Sequence, residues 1–402
     1  MPKALEILKT YWKYTAFKHP QETIINHIRE ENNVIALLPT GSGKSLCYQV
    51  PAMMSPGVCL VVSPLIALMN DQVASLIAKG IKALAITSAN SQEEVINAFD
   101  NLKYGGYKFL YLSPEKLCTE LIRQKIQELD INLLAVDEAH CISEWGHDFR
   151  PAYLKIAEIR ELFPDIPVIA LTATATPQVI KDIKDNLRIP DAHVITKSLL
   201  RDNLSLTFVN TEDIVHFLTR QLRDIQGVSI IYASSRKKTV ELSQLLNNQG
   251  IKCSFYHGGM SHEEKKQAYT DWMTEKTPVI VATNAFGMGI DKDNVRVIIH
   301  VDLPFSLENY MQETGRAGRD GEKAYSYLIN NANSLNLLKK FYKKSKLERT
   351  LVQKTYTDLY KEFQISPGEL SKQLFDFNLQ DFCTRYNHKR ESAYNILKFL
   401  EN

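Results

Sequence analysis

An α/β chain of two tandem lobes, each built on a parallel sheet and followed by a small helical segment, is predicted by three observations. Short runs of apolar, largely β-branched residues alternate with helix-like segments, and the whole alternation occurs twice. The first apolar run is followed by a glycine-rich turn, Leu38-Pro-Thr-Gly-Ser-Gly-Lys-Ser45, that opens a helix-like stretch. Beyond the second alternation the sequence turns lysine-rich and helical in pattern. The division this implies is 1–199, 200–336 and 337–402.

At 402 residues the chain is long enough for two or three separate cores. A hydrophobic content of 44% with 23% charged residues excludes disordered and fibrous classes. No window approaches eighteen uninterrupted apolar residues, and the opening Met-Pro-Lys-Ala-Leu-Glu has no signal-peptide core, so a cytoplasmic protein without membrane association is expected. Cys47, Cys59, Cys118, Cys141, Cys253 and Cys383 form no C-x-x-C pair, so buried thiols are expected rather than disulfides or a zinc site. The net charge of +2 does not announce a nucleic-acid partner, but its distribution is uneven. Residues 322–402 hold 14 Lys or Arg against 9 Asp or Glu, leaving the preceding body slightly acidic. A basic tail of this kind is compatible with DNA binding.

Met1 to Arg29 reads as helical, with apolar positions at Leu5, Leu8, Tyr11, Trp12, Ile24, Ile25 and Ile28. Within it, Tyr14 can stack on an adenine ring, Gln21 can pair with the adenine edge, and Lys18 lies between them. The strand Val34–Leu37 then leads into the glycine-rich turn, which lacks only the first glycine of the strict phosphate-loop pattern, where Leu38 stands. Backbone N–H groups of Thr40, Gly41, Ser42 and Gly43 can wrap phosphate oxygens, Lys44 can reach the outer phosphates, and Ser45 can ligate magnesium. The helix from Leu46 presents its positive end to the anion. Four more strands are expected at 58–62, 83–87, 109–112 and 168–171. Small polar clusters follow the apolar runs: Ser63-Pro64-Leu65, Ser113-Pro114-Glu115 and Thr172 to Thr176. Hydroxyls and amides at such strand ends suit the phosphates of a nucleic-acid strand lying across the sheet.

The stretch from Leu133 to Tyr153 joins two chemistries. Leu133 to Val136 reads as a buried strand ending in Asp137 and Glu138, suited to holding a magnesium ion and activating the attacking water. Trp145, His147, Phe149, Arg150 and Tyr153 follow as an aromatic and basic segment of the kind on which single-stranded nucleic acid stacks. His140 lies between the two, placed to relay nucleotide state to the aromatics.

Lys197 to Asn203 reads as a linker. Strands are then expected at 204–209, 229–232, 253–256, 279–282, 297–300 and 324–328, with no second phosphate loop. Gly289 and Asp291 sit in a glycine-bearing loop, the carboxylate placed for a ribose. In Gln312-Glu-Thr-Gly-Arg-Ala-Gly-Arg-Asp-Gly321, Arg316 and Arg319 are three apart, so on a helical turn they would share a face and reach one phosphate group. Ser334 to Thr350 reads as a basic helix, and the pattern from Asp376 to Leu400, with a polar turn at Asn387-His388, reads as a helix-turn-helix. That unit is either the opening of a winged helix cut short at Asn402 or a degenerate one.

On Tyr14, Lys18 and Gln21, Thr40 to Ser45, Asp137 to His140, Trp145 to Pro151, Thr172 to Thr174 and Gln312 to Gly321, the chain resembles the RecQ family of superfamily 2 DNA helicases over residues 5–335. The run Ser143 to Pro151 is the most family-specific. The resemblance implies two RecA-like P-loop NTPase lobes with ATP and Mg2+ in the cleft between them. It implies 3′-to-5′ movement on single-stranded DNA, with strand separation in repair or recombination. Lys44, Asp137, Glu138, Gln312, Arg316 and Arg319 would then be the catalytic set, and Ser63, Pro64, His140, Trp145, Phe149 and Arg150 the DNA-binding and coupling set. Expected partners are single-stranded and forked DNA and a single-stranded-DNA-binding protein, met by a monomer in the cytoplasm or nucleoid.

Lys18 stands where the family usually has Arg and Asp202 where Pro is usual, and the family's four-cysteine zinc module has no counterpart in 322–402. Three rivals share the same sequence features: an RNA helicase, a translocase that remodels protein–DNA complexes without unwinding, and a DNA-binding scaffold on an inactive ATPase fold. Metal analysis of the purified chain is expected to find no stoichiometric zinc, because no Cys or His cluster has ligand spacing. One tightly held zinc per chain would overturn that reading.

Overall fold

The computed structural model describes residues 3–87, 89–144, 149–223, 227–287, 292–332, 334–336, 338–339, 349–363, 365 and 375–401. Met1–Asn331 forms one compact unit and Ala332–Asn402 another. Within the first unit, two parallel sheets carry the architecture. The first contains β1 (Val34–Leu37), β2 (Val58–Val62), β3 (Ala83–Ile86), β4 (Phe109–Leu112), β5 (Ile131–Val136), β6 (Val168–Thr172) and β7 (His193–Thr196), in the order β3-β4-β2-β5-β6-β1-β7. Its central strands are covered on both faces, which is why they read as unbroken apolar runs rather than alternating ones. Leu60 and Val62 enter one core while Cys59 and Val61 enter the other, all four fully buried.

This strand order decides where the chemistry falls. β5, β6 and β1 are neighbours, so the loops leaving their C-terminal ends emerge side by side. The phosphate loop leaves β1, the acidic pair leaves β5, and Thr172 closes β6 between them.

The second sheet contains β8 (Leu204–Asn210), β9 (Val228–Tyr232), β10 (Cys253–Tyr256), β11 (Val279–Ala282), β12 (Val295–His300) and β13 (Ala324–Asn330), in the order β10-β11-β9-β12-β13-β8. It too is parallel throughout. Trp272 fills its core at full burial, its indole N–H donating to the Ser229 carbonyl at 3.2 Å and its ring meeting Phe286 edge-on at 5.2 Å.

Two differences from the sequence reading concern local geometry. The N-terminal segment is not one helix: a short helix Ala4–Ile7 runs into a π-turn, Leu8–Trp12, and stops where Lys13 adopts a left-handed backbone at φ 61°. Helix resumes only at Gln21–Arg29, so Tyr14 and Lys18 lie on a non-helical connection. The strand β7 was not anticipated. It is an edge strand with His193, Val194 and Thr196 exposed, and so lacks the apolar run that marks its neighbours.

The second unit contains helices Arg349–Glu362, Leu379–Tyr386 and Arg390–Glu401. The last two form the expected helix-turn-helix. Asn378 caps the first by accepting from Gln380 and Asp381 N–H groups, and Asn387 turns the chain at φ 53°. A buried His388–Asp358 contact at 3.0 Å and the Phe382 ring stacked on His388 fix the turn against the preceding helix. Most of the anticipated basic helix, including Lys340, Lys343, Lys344 and Lys346, lies outside the described residues. No helix among the described residues is long and apolar enough to cross a membrane. All six cysteines are free, with only Cys118 exposed, and burial pushes the Cys47 thiol up to about 12.

Trp272→Ala should destabilise the second lobe by about 3–5 kcal/mol, the usual cost of emptying a buried aromatic site. Denaturant unfolding followed by a second-lobe probe measures it, and a loss below about 1 kcal/mol would contradict the packing described.

Candidate active site

The phosphate loop is shaped by its own carbonyls and by its neighbours. Leu38 N–H donates to the Thr172 carbonyl at 2.9 Å, tying the loop's start to the end of β6. Leu38 itself is fully buried in core, which accounts for an apolar residue where the strict pattern has glycine. The Ser42 hydroxyl and N–H both donate to the Pro39 carbonyl. Gly41 and Gly43 hold φ at 76°, a left-handed conformation that glycine adopts without strain. Helix Leu46–Met54 begins directly after Ser45.

Gln21 is where geometry and sequence reading part. Its side chain is only 2% exposed and is committed to the protein. The amide N–H group donates to the Ser42 and Gly43 carbonyls at 3.0 and 3.1 Å, and the amide oxygen accepts from Lys18 N–H at 2.9 Å. In this conformation Gln21 braces the back of the loop, and a paired contact to adenine would require it to release those carbonyls. Tyr14 and Lys18 are exposed nearby in sequence.

Opposite the loop, Asp137 N–H donates to the Val62 carbonyl at 2.8 Å, and the Asp137 carboxylate accepts from Glu138 N–H at 3.0 Å. Glu138 adopts a left-handed backbone, φ 46°, a conformation that costs a non-glycine residue about 1–2 kcal/mol and aims its carboxylate back across the cleft. Lys44 Nζ lies 3.7 Å from Glu138 Oε1. Burial pushes the Asp137 carboxyl up to about 6, the adjacent Glu138 pushes the same way, and Lys44 opposes both.

His140 faces Thr172. The Thr172 hydroxyl donates to the Thr174 carbonyl at 3.0 Å and lies 2.9 Å from His140 Nδ1. A hydroxyl has one proton to give, so His140 Nδ1 must be the donor in that pair. The same nitrogen lies 3.4 Å from Glu138 Oε2. The aromatic segment is anchored by other groups. Tyr153, fully buried, donates from its hydroxyl to the Asp137 carbonyl at 2.9 Å. Arg150 N–H donates to the Cys141 carbonyl, and its guanidinium reaches the Pro64 carbonyl at 3.1 Å. Phe149 and Arg150 are half-buried, and the bond to Pro64 sets Arg150 beside the Ser63-Pro64 strand end, where Ser63 is buried. Trp145 lies outside the described residues, as do Gly289 and Asp291.

The second lobe supplies the third side of the cleft. Arg316 and Arg319 do not share a helical face: the helix Leu307–Thr314 ends before them, and they project from the turn that follows. They converge nonetheless. Arg319 lies over Gly41, where a Cβ would come within 2.8 Å of its Cγ, and Arg316 is 3% exposed beside the Tyr232 hydroxyl. Gln312, Arg316 and Arg319 thus line one cleft with Thr40, Gly41, Gly43, Lys44, Ser45, Asp137 and Glu138. Tyr48 and Gln72 also line it and were not legible in the sequence, since each is a single polar residue within a helix. Among the described residues, the buried Lys44 Nζ, Thr40 Oγ1 and Arg316 Nε make no hydrogen bond. A cleft rich in uncommitted donors, with one buried carboxyl pair, fits a magnesium-bound polyphosphate.

Fold and cleft together define a two-lobed P-loop nucleotide-binding protein. Residues 18–183 match the DEAD/DEAH box helicase family and residues 209–321 the helicase conserved C-terminal domain. The chain is 42% identical over 329 residues to the ATP-dependent DNA helicase RecQ of Haemophilus influenzae, covering 82% of this chain and 53% of that protein. It is 41% identical over 334 residues to the probable ATP-dependent DNA helicase RecS of Bacillus subtilis, covering 82% of this chain and 67% of that one. The chain belongs to the RecQ family, and it spans about half the length of the curated RecQ proteins it matches.

Among solved structures, Saccharomyces cerevisiae Dbp5 bound to RNA and ADP BeF3 superposes with a TM-score of 0.64 at 21% identity, covering 84% of this chain and 90% of that one. Mycobacterium smegmatis helicase Lhr bound to single-stranded DNA and AMP-PNP gives 0.63 at 21% identity, covering 95% and 52%. These likenesses are of fold alone.

The Asp137 carboxyl generates a prediction. Its folded-state pKa of about 6 stands above the ordinary 3.8, so the folded chain carries a penalty for the charged form. That penalty is fully present above about pH 6 and vanishes as the pH falls toward the unfolded value. Without nucleotide or metal, Asp137→Asn should therefore raise the melting temperature at about pH 8, with the gain fading by about pH 4. A gain that does not change with pH, or a loss at the higher pH, would contradict the assignment.

Proposed function

We propose that the chain is an ATP-dependent DNA helicase or translocase of RecQ type. On this reading it couples hydrolysis in the cleft to 3′-to-5′ movement on single-stranded DNA and to strand separation at forks. The observation that carries the reading is the convergence of Lys44, Asp137, Glu138, Gln312, Arg316 and Arg319, from two separate sheets, on one cleft. A phosphate-binding loop without opposing arginines would bind nucleotide and need no second lobe.

In this reading Lys44 and the loop amides hold the phosphates, and Ser45 and Asp137 hold magnesium, which neutralises phosphate charge when bound. Glu138 accepts a proton from the attacking water. Arg316 and Arg319 stabilise the charge that develops on the transferred phosphoryl group. The lobes divide near residues 199 and 336. The working form is a monomer acting on DNA in the cytoplasm or nucleoid.

Phe149 and Arg150 meet DNA beside Ser63 and Pro64. Their signal reaches the acidic pair through the Arg150–Cys141 and Tyr153–Asp137 backbone contacts, with His140 and Thr172 completing the path.

Steady-state ATP hydrolysis with and without single-stranded DNA or RNA, together with strand displacement on a forked duplex, tests the proposal. DNA should stimulate hydrolysis more than RNA. Lys44→Ala should lower turnover by about a hundredfold or more, the scale of losing a charge that stabilises the transition state. Glu138→Gln should stall while still binding nucleotide. Turnover near wild-type in Lys44→Ala would refute the cleft assignment. DNA-stimulated hydrolysis without strand displacement would favour the remodelling translocase, and stronger stimulation by RNA would favour an RNA helicase.

Phe149→Ala and Arg150→Ala should keep the basal rate but lower the plateau of stimulation at saturating DNA. If both reach the wild-type plateau at higher DNA concentration, the segment holds DNA without coupling it to hydrolysis.

A further inference from the structure

The segment between the two sheets is more than a tether. Arg201 Nη1 donates to the Ala317 carbonyl at 3.0 Å, and Nη2 donates to the Thr40 carbonyl at 3.1 Å and to the Gly315 carbonyl. Two residues on, Asn203 Nδ2 donates to the Gly318 and Glu322 carbonyls, each at 2.8 Å, and the Asn203 carbonyl accepts from Ala324 N–H. Four carbonyls of the turn carrying Arg316 and Arg319 are therefore held by the connecting segment. Of these two residues, Arg201 also reaches the phosphate loop.

The approach it spans is tight. A Cβ on Gly315 would lie 2.4 Å from Thr40 Oγ1, so the arginine turn and the phosphate loop meet with no room for another side chain. Both terminal nitrogens of the Arg201 guanidinium donate to backbone carbonyls. Burial and the nearby Arg319 both hold its pKa below the ordinary guanidinium value. A planar fork with five donors on separate nitrogens can serve three spread carbonyls from two lobes at once, whereas a lysine ammonium offers its three donors from a single atom on a flexible stem.

We propose that Arg201 is a positioning residue for hydrolysis: it sets the register of the arginine turn against the phosphate loop, so that Arg316 and Arg319 meet the phosphate held by Lys44. The inference rests on the ATPase reading above and adds to it a residue that touches neither nucleotide nor DNA. Nucleotide binding, which draws on the first lobe, does not depend on Arg201. Turnover, which draws on both lobes, does.

The test compares wild-type, Arg201→Ala and Arg201→Lys full-length chains. Hydrolysis is measured at saturating single-stranded DNA, alongside affinity for a fluorescent ADP analogue and thermal midpoint. Both variants should lose about tenfold or more in kcat, the scale of losing a charge-assisted hydrogen bond at a reacting geometry, while ADP affinity stays within about twofold. A kcat within about twofold of wild-type in Arg201→Lys overturns the proposal, because charge alone would then suffice. A loss confined to KM and ADP affinity also overturns it, assigning Arg201 to the shape of the phosphate loop. If Arg201→Ala unfolds, the lysine variant decides. Absence of ATP turnover in the wild-type chain overturns the functional reading and this inference with it, whereas normal turnover in wild-type and Arg201→Lys overturns this inference alone.

Discussion

The hydrogen bonds around Thr172 are the constraint on which the cleft depends. This residue ends the strand lying between the one that carries the phosphate loop and the one that carries the acidic pair. Its carbonyl fixes the first N–H of the loop, and its hydroxyl fixes the histidine that lies against Glu138. It is fully buried, so neither bond competes with solvent. The two halves of the phosphate chemistry are thus registered against one residue, one through its backbone carbonyl and the other through its side chain. The position of Lys44 relative to Glu138 follows from that registration.

The second lobe adds a different constraint. Lys44, Arg316, Arg319 and Arg201 bring four cations close together, and among the described residues lining the cleft Asp137 and Glu138 are the carboxylates that oppose them. Like charges gathered in a partly dehydrated space repel one another strongly. The carbonyls of the arginine turn accept from the Arg201 guanidinium and the Asn203 amide, which anchors its backbone in place. Tyr232 meets Arg316 with a phenol rather than a carboxylate. The cleft is thereby left with surplus positive potential, the property a polyanion selects.

Much of this was legible in the sequence where local pattern and function coincide. Strands buried on both faces declare themselves as apolar runs, and the phosphate loop and the acidic pair each occupy contiguous residues. Features that depend on distant partners were not legible. β7 is an exposed edge strand whose composition does not distinguish it from a loop. The role of Gln21 is set by carbonyls more than twenty residues away, and nothing in its neighbours shows that its amide is already engaged. Arg201 was hidden most completely: it sits in what reads as a connector, and its acceptors are 114 to 161 residues distant. Arg316 and Arg319 were recognised by spacing, yet they converge by leaving a helix rather than by sharing one of its faces.

The placement of β1 has a consequence for how the protein comes into being. This strand is synthesised well before its neighbours in the sheet, β6 and β7, which set Ile169 and His193 opposite Val34. Neither partner exists until well over a hundred further residues have left the ribosome. At roughly 5–20 residues per second, the phosphate loop waits on the order of ten to thirty seconds before it can be seated. Throughout that interval Val34, Ile35 and Ala36, all wholly buried at the end, have no sheet to join. The intervening strands β2, β4 and β5 pair among themselves in the meantime, so the nascent lobe can assemble from its middle outward and close on its own beginning last.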